Sequence, residues 1–375
     1  MNKSVVKIGK QHMEYLDYAK GIGMFFVVLG HALEMQDNVS EFGSILHRYI
    51  YAFHMPLFFM SSGIGLFYKL RDLNTVDLKA EIRRLGERLL LPYLFWCTFY
   101  TLLQFVEDLI RGKPNCHMTI LERGYAAVTG RIVPLWFLFT LFMVEAAFLW
   151  LWCLLKSRKF QTSIYVWGGV LVIAAVLSAE CSILFQIING DGLHLLLRYP
   201  LIAAFRFFPC LFSLVVGFVF GIIITKHNVI FQKQTALVIA TFSSGTIYWL
   251  LEHFSGNQVN TLVFHLDNVW LYFVIGSLGS LTVFFFSMLL PKNIRILREL
   301  GRKSLHLMIL HYPPLPTLIV FVMILDPYSG PIIWLLESFI TMFLIYIFIV
   351  YVLEPMRNWI FVWLVNHRKI RPTQK

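Results

Sequence analysis

Ten apolar stretches of roughly 20 residues follow one another along the chain, with short polar segments between them. They lie near Tyr15–Met35, His47–Tyr68, Leu89–Ile110, Ile132–Leu155, Ile164–Ile187, Ala203–Thr225, Thr235–Phe254, Asn268–Leu290, Ser304–Leu325 and Ile332–Leu353. Each is continuously apolar rather than striped, as a helix must be to cross a hydrocarbon core. The pattern predicts an all-α, polytopic transmembrane helical bundle of about ten spans. The stretch Gly190–Pro209 fits no span and reads as a re-entrant or interfacial piece.

Charge sets the expected orientation. Lys and Arg collect on the cytoplasmic side of membrane proteins. With the N-terminus inside, 24 of the 32 basic residues fall in inner segments, seven in outer ones, and Lys20 within the first span. An extra or missing helix would invert that alternation, so both termini are expected to be cytoplasmic. Composition agrees: 58% of the 375 residues are hydrophobic and only 14% charged, against about 25% in soluble domains. The 35 Phe, 16 Tyr and 10 Trp exclude a disordered chain. The net charge of +11 is read as the positive-inside bias and not as a nucleic-acid footprint, because no basic soluble domain carries it. The five Cys form no CxxC pair, which argues against a disulfide framework or zinc site. No small-residue cleavage site follows the first apolar stretch, so it reads as a retained span. With short loops, any chemistry belongs to the helices or their ends.

Ionisable groups inside spans are costly and point to function. The first span has the richest set: Asp17, Lys20, His31 and Glu34. Lys20 and His31 are eleven residues apart, ~16 Å of rise and about 20° beyond three turns, so they share a helix face. Asp17 and Glu34 each stand three residues from one of them, a pairing distance on a helix. His31 suits a general base, with Glu34 orienting it. A snorkelling Lys20, an interfacial His31 and a surface Glu34 are the plain alternatives.

The second span carries His54, Pro56 and Ser62-Gly63, a polar entry and a kink that also read as ordinary helix packing. Arg83, Arg84 and Arg88 precede Leu91-Pro92-Tyr93; they suit phosphates through bidentate pairing and equally suit the positive-inside rule. Pro134-Leu135-Trp136-Phe137-Leu138 opens the fourth span, where an aromatic belt is the plain reading. Glu145 and Glu337 read as isolated intramembrane carboxylates. Ser304 and His311 lie in the ninth span, with Tyr312-Pro313-Pro314 breaking it beside the histidine.

Together these residues resemble the acyltransferase 3 family of integral membrane acyltransferases. Tyr15–Gly23 followed by Gly30-His31 is similar to that family's opening motif of a basic residue, ten residues and a histidine. Phe53–Gly63, the basic run into Leu91-Pro92-Tyr93, Leu135–Leu138, and Leu300–Ser304 ahead of His311 follow in the family's order. The Ala19-Lys20-Gly21 form resembles members described as fucose 4-O-acetylase-like. One departure stands out: the family often shows two arginines three apart at the third span, whereas Arg88 is four and five residues from Arg84 and Arg83.

The resemblance implies a single acyltransferase domain over residues 15–355, flanked by cytoplasmic segments 1–14 and 356–375. It implies transfer of an acyl group, usually acetyl, from cytoplasmic acyl-CoA to a hydroxyl of an extracytoplasmic glycan or lipid-linked sugar. His31 would be the catalytic base with Glu34 beside it, and Lys20, Arg83, Arg84 and Arg88 would contact CoA. His54, Ser62, Trp136 and His311 are the candidate acceptor-binding residues. No metal and no nucleic acid are expected, and the location implied is a bacterial cytoplasmic membrane. The competing readings are a transporter or flippase for a lipid-linked glycan or other solute, and a non-catalytic sensor or scaffold.

Overall fold

A computed structural model describes residues 3–34, 41–73, 76–112, 116–132, 134–155, 157–190, 195–311 and 331–355. Helix α1 (Lys3–Glu34) is followed by α2 (Glu41–Leu70). Then α3 (Leu78–Leu85) runs through a π-helical turn (Gly86–Leu90) into α4 (Leu91–Ile110). Next come α5 (Cys116–Val128), α6 (Trp136–Leu154), α7 (Arg158–Gln161), α8 (Ile164–Gly190), α9 (Leu195–Lys226), α10 (Asn228–Phe231) and α11 (Gln234–Ser255). A small antiparallel hairpin pairs β1 (Val259–Asn260) with β2 (His265–Leu266). The chain continues as α12 (Val269–Leu289), α13 (Arg295–Arg302), α14 (Ser304–Leu310) and α15 (Pro331–Phe348), which ends in a second π-helical turn (Ile349–Leu353).

Among the described residues, seven helices are long and apolar enough to cross a membrane: Glu14–Glu34, Glu41–Leu70, Leu78–Ile110, Trp136–Leu154, Ile164–Ile188, Leu197–Lys226 and Val269–Leu289. Each coincides with an expected span. Helix α11, outside these seven, lies where the seventh span was expected; Thr, Ser, Glu and His dilute its apolar run. The ninth expected span begins as α14, and residues 312–325 lie outside the described residues, as does the tail 356–375. The re-entrant reading of Gly190–Pro209 is corrected. From Leu195 this stretch belongs to α9, which continues through Pro200 and Pro209. Proline is tolerated inside a buried helix when neighbours satisfy the freed backbone groups. Here Ser213 Oγ donates to the Pro209 carbonyl at 3.1 Å.

Helix α2 is buried on nearly every side, as expected of a helix that is apolar all round. Its contact with α9 is a backbone contact made possible by glycine. A Cβ on Gly63 would sit 1.9 Å from the Leu214 carbonyl oxygen, and one on Gly217 would sit 2.0 Å from that of Met60. Small residues at helix interfaces allow such an approach in membranes. Gly217→Leu is therefore expected to cost at least about 3 kcal/mol, read as lost monodispersity in detergent. Pro56 frees the Ala52 carbonyl, which faces Gly276 of α12. On the other side, α13 docks on α1 at Gly301, where a Cβ would sit 1.8 Å from the Asp17 carbonyl oxygen. That docking carries Arg302 to the first helix. Apolar side chains of α4, α8 and α11, among them Phe95, Ile173 and Phe242, remain exposed, as hydrocarbon contact requires.

Candidate active site

Two chambers open at the two ends of one face of α1. The larger, about 610 Å³, is lined by Lys20 from α1, Ser62 and Lys69 from α2, Arg84 from α3, Arg88 from the π-helical turn and Arg302 from α13. Four carboxylates hold these groups. Asp17 pairs with Lys20 at 2.8 Å and Arg302 at 3.4 Å, and Glu299 lies 3.5 Å from Arg302. Glu81 takes Arg84 at 2.6 Å and also Lys69. Glu145, 3% exposed, takes Arg88 at 2.5 Å and accepts from Ser62 Oγ. Five cations against four carboxylates leave a positive balance in this basic chamber, a match for a polyanion.

The smaller chamber, about 240 Å³, holds His31, Glu34, Tyr51, His54, Trp136 and His311. The Nδ1 of His31 is 2.7 Å from Glu34 Oε2 and 3.3 Å from Tyr51 Oη. Glu34 Oε1 also lies 3.4 Å from His47 Nε2, and the His47 ring stacks on Tyr51. A carboxylate only accepts hydrogen bonds, so it fixes the proton of His31 on Nδ1 and leaves the ring lone pair on Nε2. This arrangement, a histidine oriented by an acidic partner, has the geometry that general-base chemistry requires. Among the described residues, no three His, Cys, Asp or Glu side chains converge to hold a metal ion.

Phe137 of α6 and Met308 of α14 line both chambers and form the boundary they share. Both are almost fully buried. The hairpin roofs the histidine chamber with Asn260, Thr261 and Leu262. Its turn is bent at Phe264, whose φ of 57° is unusual for a bulky residue. Burial of Phe264 against Phe185 and Phe205 holds that conformation.

Sequence reasoning placed some of these groups well and others badly. Lys20, Arg84 and Arg88 meet in the basic chamber, and His31, Glu34, His54, Trp136 and His311 in the other. Ser62 lies in the basic chamber, apart from the other candidate acceptor residues. Arg83 lines neither chamber; it is exposed and pairs with Glu87 at 3.0 Å. Glu145 is not isolated but ties α2 to the π-helical turn, because helices far apart in sequence pack around it. Glu337 lies outside the described side chains. Trp136 is 7% exposed, so it is no interfacial belt residue.

Lys69, Glu81, Arg302 and Asn260 were missed. So was Arg206, expected as an outer charge. It is 1% exposed, stacks at 4.6 Å on Trp136, and donates to the carbonyls of Gly130 (2.8 Å) and Leu262 (3.2 Å). It clamps the hairpin to the start of α6. Arg206→Leu would leave both carbonyls unpaired, at a cost of about 3 kcal/mol, measurable as a lowered melting temperature in detergent.

The acyltransferase 3 family, described as an acyltransferase domain, matches residues 13–354, nearly the whole chain. The chain belongs to the acyltransferase 3 family. It is a multi-pass membrane protein carrying an acyltransferase domain. Over a shorter stretch it is similar to two curated proteins named nodulation protein NolL. The one from Mesorhizobium japonicum is 39% identical over 88 residues, and the one from Sinorhizobium fredii is 39% identical over 87. Each match covers 22% of this chain and 22% of the relative, so the chain spans less than a quarter of the relatives it matches. No solved structure matches.

Proposed function

We propose that this acyltransferase moves an acetyl group from cytoplasmic acetyl-CoA, or another acyl-CoA, to a hydroxyl of an extracytoplasmic or lipid-linked glycan. The observation that carries the reading is the pairing of a basic chamber with a histidine chamber that share Phe137 and Met308 in their linings, a boundary we read as the neck between them. CoA is a polyanion with a slender arm. Lys20, Arg84 and Arg88, joined by Lys69 and Arg302, receive its phosphates, while Ser62 and Glu145 hold Arg88 in place. The arm follows the α1 face toward His31. The orientation proposed is ten spans with both termini cytoplasmic, in a bacterial cytoplasmic membrane. The likeness to the two proteins named nodulation protein NolL carries none of the argument.

The chemistry balances without a further reactant. The acceptor oxygen bonds to the thioester carbonyl carbon while His31 Nε2 takes the hydroxyl proton. The tetrahedral oxyanion collapses, the carbon–sulfur bond breaks, and the thiolate takes the proton from the imidazolium. The products are an ester and free CoA. Glu34 stabilises the imidazolium in between. His54, Trp136 and His311 line the acceptor side. The experiment is transfer of radiolabelled acetyl from acetyl-CoA by protein in nanodiscs, with and without a panel of alkyl glycosides. Acceptor-dependent CoA release is expected. Neither release nor acetyl-CoA binding would overturn the reading in favour of a transporter.

A further inference from the structure

The histidine chamber contains more hydrogen-bond acceptors than the reaction uses. His311 Nδ1 lies 2.8 Å from the Met308 carbonyl oxygen and 3.2 Å from that of Leu307. Carbonyl oxygens only accept, so Nδ1 bears the hydrogen and the lone pair is on Nε2. That Nε2 is buried and has no hydrogen-bond partner among the described residues, in a side chain 5% exposed. His54 has the same tautomer for the same reason: its Nδ1 is 2.9 Å from the Ile50 carbonyl oxygen. A buried acceptor left unpaired is unfavourable and selects a ligand that supplies a donor. The His311 and His31 rings have centroids 5.0 Å apart at a tilt of 37°, so a small ligand reaches both.

Resting on the acyl-transfer reading above, we propose that the acceptor is a vicinal diol and that His311 reads the hydroxyl next to the one acylated. When the target hydroxyl meets His31 Nε2, a gauche hydroxyl on the adjacent carbon lies within hydrogen-bonding reach of its neighbour's position. His311 Nε2 accepts from that second hydroxyl. His311 keeps its proton state throughout; it is a binding and positioning residue, and the transferred proton goes to His31. A site with such an acceptor discriminates sharply against an analogue lacking the hydroxyl, because its own polar atom is then left unpaired.

The test uses the full-length protein in nanodiscs with acetyl-CoA and octyl glycosides of gluco, galacto, manno, fuco and rhamno configuration. The best acceptor is compared with its analogue lacking the hydroxyl beside the acetylated carbon. In the wild type, kcat/KM is expected to fall at least about tenfold for the deoxy analogue. In His311→Asn, which keeps an N–H for the Met308 carbonyl but has no atom at Nε2, the two acceptors should become nearly equal. His311→Gln, whose longer amide can return an oxygen there, should recover part of the difference. Equal kcat/KM for diol and deoxy acceptor in the wild type would overturn the proposal, as would full discrimination by His311→Asn. Should His311→Asn fail to fold, the wild-type comparison and His311→Gln still decide. Transfer to no glycoside at all is a different failure: it removes the glycan reading, and the diol with it.

Discussion

His31→Ala is expected to slow acetyl transfer by orders of magnitude while acetyl-CoA still binds. The side chain lies in the histidine chamber, held through Nδ1 by Glu34, and the donor phosphates are assigned to the basic chamber at the other end of α1. Removing a positioned general base costs about 10²–10⁴-fold in rate, so kcat should fall by that factor. The acetyl-CoA dissociation constant, measured by equilibrium binding, should stay near the wild-type value. Glu34→Gln is expected to lie between: the amide can still accept from Nδ1, but it no longer stabilises an imidazolium. Activity retained by His31→Ala would remove His31 from the chemistry and leave His54 or His311 as the base to test.

Met308→Trp is expected to uncouple donor binding from transfer. Met308 and Phe137 line both chambers, at the proposed neck. A larger, rigid ring there obstructs the passage of the acyl-bearing arm without touching Lys20, Arg84 or Arg88. Misplacing a reacting group by an ångström can cost about 10²-fold, and a transfer rate reduced at least that much is expected, with acetyl-CoA binding unchanged. The opposite change, Met308→Ala, widens the neck and should raise the relative rate with butyryl-CoA over acetyl-CoA. Both are read in one assay by competing donors of different chain length. Unaltered transfer by Met308→Trp would mean that the donor reaches His31 by another path.

Several features of the site were legible in the chain before any packing was known. The helical repeat places Lys20 and His31 on one face, and they line the two chambers. The three-residue spacings of Asp17 from Lys20 and of Glu34 from His31 became contacts of 2.8 and 2.7 Å. These follow from rise and rotation along one helix, which neighbouring helices do not alter. Arg84 and Arg88, four residues apart and so on one helix face, both line the basic chamber, while Arg83 turns out beside Glu87.

Groups whose partners are distant in sequence could not be assigned the same way. Glu145 reads as a lone carboxylate in an apolar helix until α2 and the π-helical turn are packed against it. Arg206 reads as one of the seven outer charges until Trp136, Gly130 and Leu262 surround it. His311 reads as a histidine beside a helix break until packing brings its ring within 5.0 Å of that of His31.

The division has a simple physical origin. Apolar length, charge bias and helical spacing are local properties, and they specify a membrane bundle, its apolar segments and the Lys20–His31 axis. Which helices touch depends on where glycine lets backbones meet, as at Gly63, Gly217 and Gly301. Those contacts brought Arg302 to Asp17 and shaped the neck at Phe137 and Met308, because a cavity is the space that several helices fail to fill and no single segment encodes it.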